Sequence, residues 1–260
     1  METTTVDKFF MEYGKRKSVK KLKDWPPSNI LDQDLARKFY ESLPYKDLTT
    51  PSGPLNLASC YPAIGTVQPD LGPKMYAGMA GTETELHMDH SDAVNLMFHG
   101  KAIWWIFDAR DASKVERYLK EAEKGTSTEA DEDFSQLFSG VHFLKQQDLK
   151  KIQWDYDVKP KVFIQKPGQA IVIPAGCPHQ VSNKKDSIKL AVDFVSVFNI
   201  NRQLELMSKI SETNRSGMTR RIDLVGFKAL LIYAWMRWTG KENFVNDDQF
   251  WVHFVNREQE

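Results

Sequence analysis

From Lys74 onward the chain carries short runs rich in β-branched and aromatic residues: AVNLMF (93–98), AIWWIF (102–107), KVFIQ (161–165), AIVIP (170–174) and IKLAVDFVSVF (188–198). Runs of this kind, bounded by turn residues, predict strands. They fall in two clusters separated by an excursion of about fifty residues, far longer than an ordinary loop. The excursion opens with a helical pattern, ASKVERYLKEAEKG, and continues through the acidic, Ser/Thr-rich TSTEADEDFSQ, which reads as a mobile loop. Composition alone would allow IKLAVDFVSVF to be a buried helix, but its length and β-branched content favour a strand. Before the strands, DWPPS stops any regular element, and Ser28 or Asn29 can cap a helix through about Leu43. After them come helical patterns near Arg202 to Glu212 and from about Leu224 to Trp238. The expected fold is mainly β with a helical surround (α+β), built on a sandwich or barrel.

The chain has 260 residues, of which 41% are hydrophobic and 27% charged, ordinary values for a globular protein. Lys plus Arg and Asp plus Glu both total 35, so no global field recruits nucleic acid or an anionic membrane. The basic run through residues 15–23 reads as a solvated face rather than an import signal. Cys60 and Cys177 are too few for a disulfide framework or a zinc module. With no signal-like N-terminal stretch and no run long enough to span a bilayer, the expectation is a soluble intracellular protein.

The stretch ETELHMDHSDAVNLMF, residues 83–98, sets His87 and Asp89 two apart at the head of an apolar run. On a strand, residues i and i+2 share a face. By itself such a pair is most often the solvated polar end of a strand, and a metal site needs a third ligand. His179 has the right setting, because in GQAIVIPAGCPHQVSN a β run ends in Pro-Ala-Gly and the histidine opens the next strand. A double-stranded β-helix draws two ligands from one strand and a third from a distant strand folded back across the barrel mouth. His87, Asp89 and His179 fit that plan, and two imidazoles with one carboxylate form the facial set typical of non-haem Fe(II) oxygenases. His90 should point away from this set. His99, His142 and His253 lack ligand-like spacing and read as packing or surface residues.

Lys189 interrupts SIKLAVDFV and shares a strand face with Ala191 and Asp193, opposite Ile188, Leu190, Val192 and Phe194. A lysine inside a barrel is costly unless something anionic meets it. Beside the triad, it becomes the expected grip on the distal carboxylate of 2-oxoglutarate. Without the triad, it would read as a solvent-facing edge lysine.

The blocks LHMDHSDAVNLMF, AIWWIFDARDASKV, GQAIVIPAGCPHQVSN and IKLAVDFVS, in that order, resemble JmjC-domain demethylases of the hairless-related group acting on histone H3 lysine 9. Upstream, LKDWPPS, LNLAS and PDLGPKMY resemble the segment before the barrel in the same group, so the similarity runs from about Leu22 to Val197. The resemblance implies a double-stranded β-helix, a jelly-roll or cupin-like JmjC barrel, that uses Fe(II), 2-oxoglutarate and O2. It places residues 1–73 as an N-terminal segment packing on the barrel and 74–199 as the barrel, with an insertion over about 108–161. Residues 200–260 become C-terminal helices. Under it, His87, Asp89 and His179 match the iron ligands and the catalytic centre, and Lys189 matches the carboxylate lysine. Thr84 matches a hydroxyl position near that carboxylate, although its parity requires a bulge or twist in the strand. Asn95 matches an asparagine near the keto-acid end, and Tyr76 a pocket-lining position. Many other JmjC enzymes carry the lysine on the strand AIWWIF, where this chain has Ala102, so Lys189 must do that work.

The implied reaction removes N-methyl groups from histone lysine with release of formaldehyde, in the nucleus, on a methylated histone H3 tail. It involves no direct sequence-specific nucleic-acid binding and no membrane, and a chromatin-targeting partner is compatible with it. A JmjC protein hydroxylase on a non-histone substrate and a chromatin-binding JmjC module with little turnover remain alternative readings. Trp104, Trp105 and Tyr76 are candidate walls for a methyl-ammonium pocket. The acidic segment Glu121 to Asp133 is a candidate receiver for a basic tail, with a plain solvated loop the equal alternative.

Overall fold

The computed structural model describes residues 9–11, 13, 15, 21–25, 33–60, 71–124, 134–215 and 227–239. The strands are β1 (Lys21–Trp25), β2 (Lys74–Gly78), β3 (Glu83–His87), β4 (Asp92–Ile106), β5 (Lys161–Gln165), β6 (Ala170–Ile173) and β7 (His179–Phe194). The helices are α1 (Gln33–Ser42), α2 (Lys46–Thr49), α3 (Ala112–Lys124), α4 (Ser135–Ser139), α5 (Gln146–Tyr156), α6 (Ile200–Arg215) and α7 (Phe227–Trp238). The candidate cap at Ser28 or Asn29, most of the acidic segment and His253 lie outside the described residues.

The long strands β4 and β7 pair antiparallel along their whole length, from Asp92 opposite Phe194 to Ile106 opposite His179. AVNLMF and AIWWIF, read above as separate runs, are therefore two halves of one strand. The register slips repeatedly between Met97 and Ala102. Gly100 lies in this bulge at φ +102°, and a Cβ there would fall 2.3 Å from the carbonyl oxygen of Asp186. Such a bulge bends a strand and strengthens its twist, which lets each long strand serve two sheets. One sheet runs β1-β2-β7-β4-β6 through the Asp92 end of β4, and the other runs β3-β7-β4-β5 through its Ile106 end. The two faces turned inward enclose Ala93, Met97, Ala102, Trp104, Ile106, Ile173, Cys177 and Val181. This is the jelly-roll of the sequence reading.

A methyl group at Gly100 meets backbone rather than a side chain that can swing away. Gly100→Ala is expected to destabilise the fold by about 1–3 kcal/mol from backbone strain alone, with the steric overlap adding to it. Denaturant unfolding of the variant and its parent measures the difference.

The helices cover the outer faces. Phe39 and Leu43, at the end of α1 and just beyond it, pack on Val94, Leu96, Val192 and Phe194. The α7 residues Leu230 and Ala234 pack with Leu57 and Val195. The excursion folds into its own core, where Val115 and Leu119 of α3, Leu137 of α4 and Ile152 of α5 meet Leu86 and Met88 at the end of β3. The buried carboxylate of Glu116 accepts from the backbone N–H groups of Gln136 and Leu137, both at 3.0 Å, and so fixes the start of α4. Gln180 bonds both backbone groups of Leu144, at 2.8 and 2.9 Å, and ties the excursion to the start of β7.

Candidate active site

β3 ends at His87, and Asp89 lies in the connection to β4 rather than on the strand as first read. The two side chains still converge, because the backbone on either side is held. The N–H of Leu86 donates to the carbonyl of His142 at 2.6 Å and the N–H of Met88 to the carbonyl of Leu137 at 3.1 Å. The carbonyl of Asp89 accepts from the N–H of Gly176 at 2.9 Å, joining this connection to the turn that delivers His179. His179 opens β7 directly opposite His87. Its ring lies 4.2 Å from that of His87, centroid to centroid.

Among the described residues, His87, Asp89 and His179 form a set whose potential ligand atoms all lie within 4.8 Å of one another. One carboxylate oxygen of Asp89 is 3.8 Å from the Nε2 of each histidine. His87 Nδ1 is 2.8 Å from the carbonyl oxygen of Glu85, and His179 Nδ1 is 3.0 Å from that of Cys177. A carbonyl can only accept, so each Nδ1 carries the proton and each Nε2 presents its lone pair to the common centre. Burial, reinforced by the neighbouring His87, pushes the pKa of His179 down to about 4, which keeps that lone pair available at neutral pH. This donor set fits a divalent metal of the non-haem iron kind.

The turn before His179 has a second support that the sequence reading missed. Asp92, 3% exposed, accepts from the Ala175 N–H at 2.8 Å, the Ser196 N–H at 3.2 Å, Asn199 Nδ2 at 2.8 Å and Gln203 Nε2 at 2.7 Å. One carboxylate thus joins the head of β4, the His179 turn and α6. Asp92→Ala would strand several buried donors, so stability should fall by about 3 kcal/mol, measurable by denaturant unfolding.

The triad opens into a cavity of about 90 Å³, several times the roughly 10–15 Å³ that one water needs. Odd-numbered residues of β7 other than Lys185 line it, from His179 through Asn183 and Lys189 to Asp193, and Tyr76, Thr84 and Asn95 join them. Tyr76 pairs with Lys189 across β2 and β7. The register of β3 shifts between Thr84 and His87, and this irregularity allows both to face the cavity despite their spacing. Asn95 is buried, and Gln165 Nε2 donates to its backbone oxygen at 2.8 Å.

Lys189 is 6% exposed and donates to Asn183 Oδ1 at 2.9 Å. The amide of Asn183 is oriented in turn by its bond to Thr82 Oγ1 at 2.8 Å. Burial, and then the positive charge of Lys21, lower the pKa of Lys189 to about 7. Its ammonium lies 5.4 Å from the ring centroid of Trp104, which also stacks on His179 at 6.0 Å. A buried cation with polar neighbours fits a carboxylate ligand.

The two tryptophans separate. Trp104 is 4% exposed and lines the cavity, with Nε1 donating to Gln165 Oε1 at 2.8 Å. Trp105 packs edge-on against Phe143 and is not part of the wall. Lys101 sits in the β4 bulge opposite Lys185, outside the cavity lining, and Ala102 is fully buried in the barrel core. His99 is exposed on β4, while His142 bridges to Leu86 and bonds Gln136 at 3.1 Å. No described helix is long and apolar enough to cross a membrane.

A jelly-roll barrel whose mouth gathers two histidines and an aspartate, with a buried lysine in the same cavity, defines a protein of the facial-triad, cupin-like class. Residues 74–194 match the family described as "JmjC domain, hydroxylase", and the chain carries a JmjC domain. It is 30% identical to lysine-specific demethylase JMJ26 of Arabidopsis thaliana, over 87% of this chain and 34% of that protein. It is 32% identical to lysine-specific demethylase 3 of Drosophila melanogaster (85% and 31%) and 32% identical to lysine-specific demethylase 3A of Homo sapiens (70% and 17%). The chain thus spans about a third or less of the length of these relatives.

Proposed function

We propose that this protein is an Fe(II)- and 2-oxoglutarate-dependent oxygenase that removes N-methyl groups from histone lysine, with lysine 9 of histone H3 the favoured position. The observation that carries the reading is the cavity itself, which contains the His87–Asp89–His179 donor set and the buried ammonium of Lys189. In this reading His87, Asp89 and His179 hold the iron. Lys189, oriented by Asn183, grips the distal carboxylate of 2-oxoglutarate, with Thr84, Asn95 and Tyr76 lining the same pocket. Iron, 2-oxoglutarate and O2 would supply the oxidation that converts an N-methyl group to formaldehyde, with succinate and CO2 as the other products.

The chain's own contribution is placement. Carbonyls of Glu85 and Cys177 keep both imidazoles in the ligating tautomer. Trp104 forms the wall between His179 and Lys189, stacked on the first and under the ammonium of the second. The named relatives are lysine-specific demethylases, which supports a methylated lysine side chain as the substrate. That the lysine lies in a histone tail, that the work is nuclear and that a partner protein directs the domain to chromatin belong to the proposal.

The test is a panel of methylated histone H3 peptides incubated with the iron-loaded protein. Demethylation predicts formaldehyde release matched by loss of methyl mass, greatest for the lysine 9 peptide. Gain of one oxygen with no formaldehyde would instead mark a protein hydroxylase, and no change in any peptide would mark a binding module.

A further inference from the structure

The match to the JmjC family begins at residue 74, yet the cavity is also lined by Lys21 and Leu22 of β1. β1 lies next to β2, with Lys21 opposite Gly78, and Gly78 is in turn opposite Ser187 of β7. A Cβ on Gly78 would fall 2.4 Å from Asn183 Nδ2 and 2.6 Å from Thr82 Oγ1, so glycine leaves room for the Asn183–Lys189 pair. Lys21 Nζ is held by Glu85 Oε2 at 3.5 Å and by the carbonyl oxygen of Glu83. Glu85 also takes Lys23, at 3.2 Å, and so is shared between two cations.

The electrostatics agree with this geometry. The positive charge of Lys21 acts on Lys189, and burial together with Lys23 holds Lys21 itself down to about 8. Two lysines therefore border one cavity, and among the described residues no acidic group is paired with Lys189. The nearby carboxylate of Asp193 has Lys74 at 3.4 Å. Like charges gathered in a partly desolvated pocket repel, and an entering anion relieves the repulsion.

We propose that Lys21 is a second cationic anchor of the pocket, positioned with Lys189 to receive the distal carboxylate of a dicarboxylic 2-oxo acid. The inference rests on the cosubstrate reading above. It adds that a strand outside the matched domain completes the selection against 2-oxo acids lacking the second carboxylate. Lys21 also pairs with Glu85 of β3, so the same side chain ties β1 to the strand that ends in His87.

The test is calorimetric binding of 2-oxoglutarate and of 2-oxopentanoate, which has the same chain length but no distal carboxylate. Both are titrated into the Fe(II)-loaded protein without oxygen. Lys21→Met should weaken 2-oxoglutarate about ten-fold and leave 2-oxopentanoate unchanged, while Lys21→Arg keeps most of the preference. Lys21→Gln, which retains polar contact with Glu85, should behave as the methionine variant does and guards against a folding defect. Equal binding of each acid by parent, Lys21→Met and Lys21→Gln would overturn the proposal, as would equal weakening of both acids. If the parent does not prefer 2-oxoglutarate, or Lys189→Met leaves that preference intact, the cosubstrate reading fails and the proposal falls with it.

Discussion

The Asp89→Ala variant is expected to lose metal binding and turnover together, with an unfolding temperature close to that of the parent. Its carboxylate oxygen is the atom common to both imidazoles, 3.8 Å from each Nε2. Two histidines alone leave the facial set incomplete, and affinity for a divalent ion should drop to background. The fold should survive because the backbone carbonyl of residue 89 accepts from the Gly176 N–H whatever the side chain, and so keeps the connection joined to the His179 turn. Metal content after dialysis and thermal unfolding measure the two halves separately. Retained iron with full activity would show that Asp89 is not a ligand.

Lys189→Ala should raise the 2-oxoglutarate concentration needed for half-maximal activity roughly ten- to hundred-fold, the range of a hydrogen bond to a charged group. Lys101 cannot substitute, since it lies in the β4 bulge outside the cavity lining. The parent protein should also show a characteristic pH dependence. Lys189 in the ligand-free pocket has a pKa lowered from 10.5 to about 7, chiefly by burial. A bound carboxylate favours the ammonium and raises that value again. Above about pH 7, binding must therefore take up a proton, and affinity should fall as pH rises toward the pKa of the bound state. Lys189→Ala should remove this slope. A slope that survives the substitution would mean that another group titrates.

Much of this site was legible because strand parity is simple. Lys189 faces the cavity for the reason read from the sequence: alternate residues of β7 point inward from His179 to Asn183 and again from Ser187 to Asp193, and only the exposed Lys185, opposite the β4 bulge, breaks the pattern. The same rule reaches Asn183, which the sequence reading passed over although it stands on the same face as His179. Parity fails where bulges intervene. The slips between Met97 and Ala102 move the inward face of β4 from Ala93 and Asn95 to Ala102 and Trp104. Nothing local could therefore decide between Trp104 and Trp105. Asp92 was missed for a different reason: an aspartate at the head of an apolar run looks like an ordinary strand end. Its four donors come from Ala175, Ser196, Asn199 and Gln203, all of them beyond residue 170. The excursion was seen as an insertion, but its bonds to Leu86 and Met88 beside the metal set depend on tertiary packing that no periodicity encodes.

The most direct test of the central claim is the stoichiometry of products from a dimethylated histone H3 lysine 9 peptide. Succinate and formaldehyde are quantified together, with and without added Fe(II). Equal amounts of the two are expected at early times, both dependent on Fe(II) and both absent in the Asp89→Ala variant. Formaldehyde formed without succinate, or formed equally well by Asp89→Ala, would contradict the central claim.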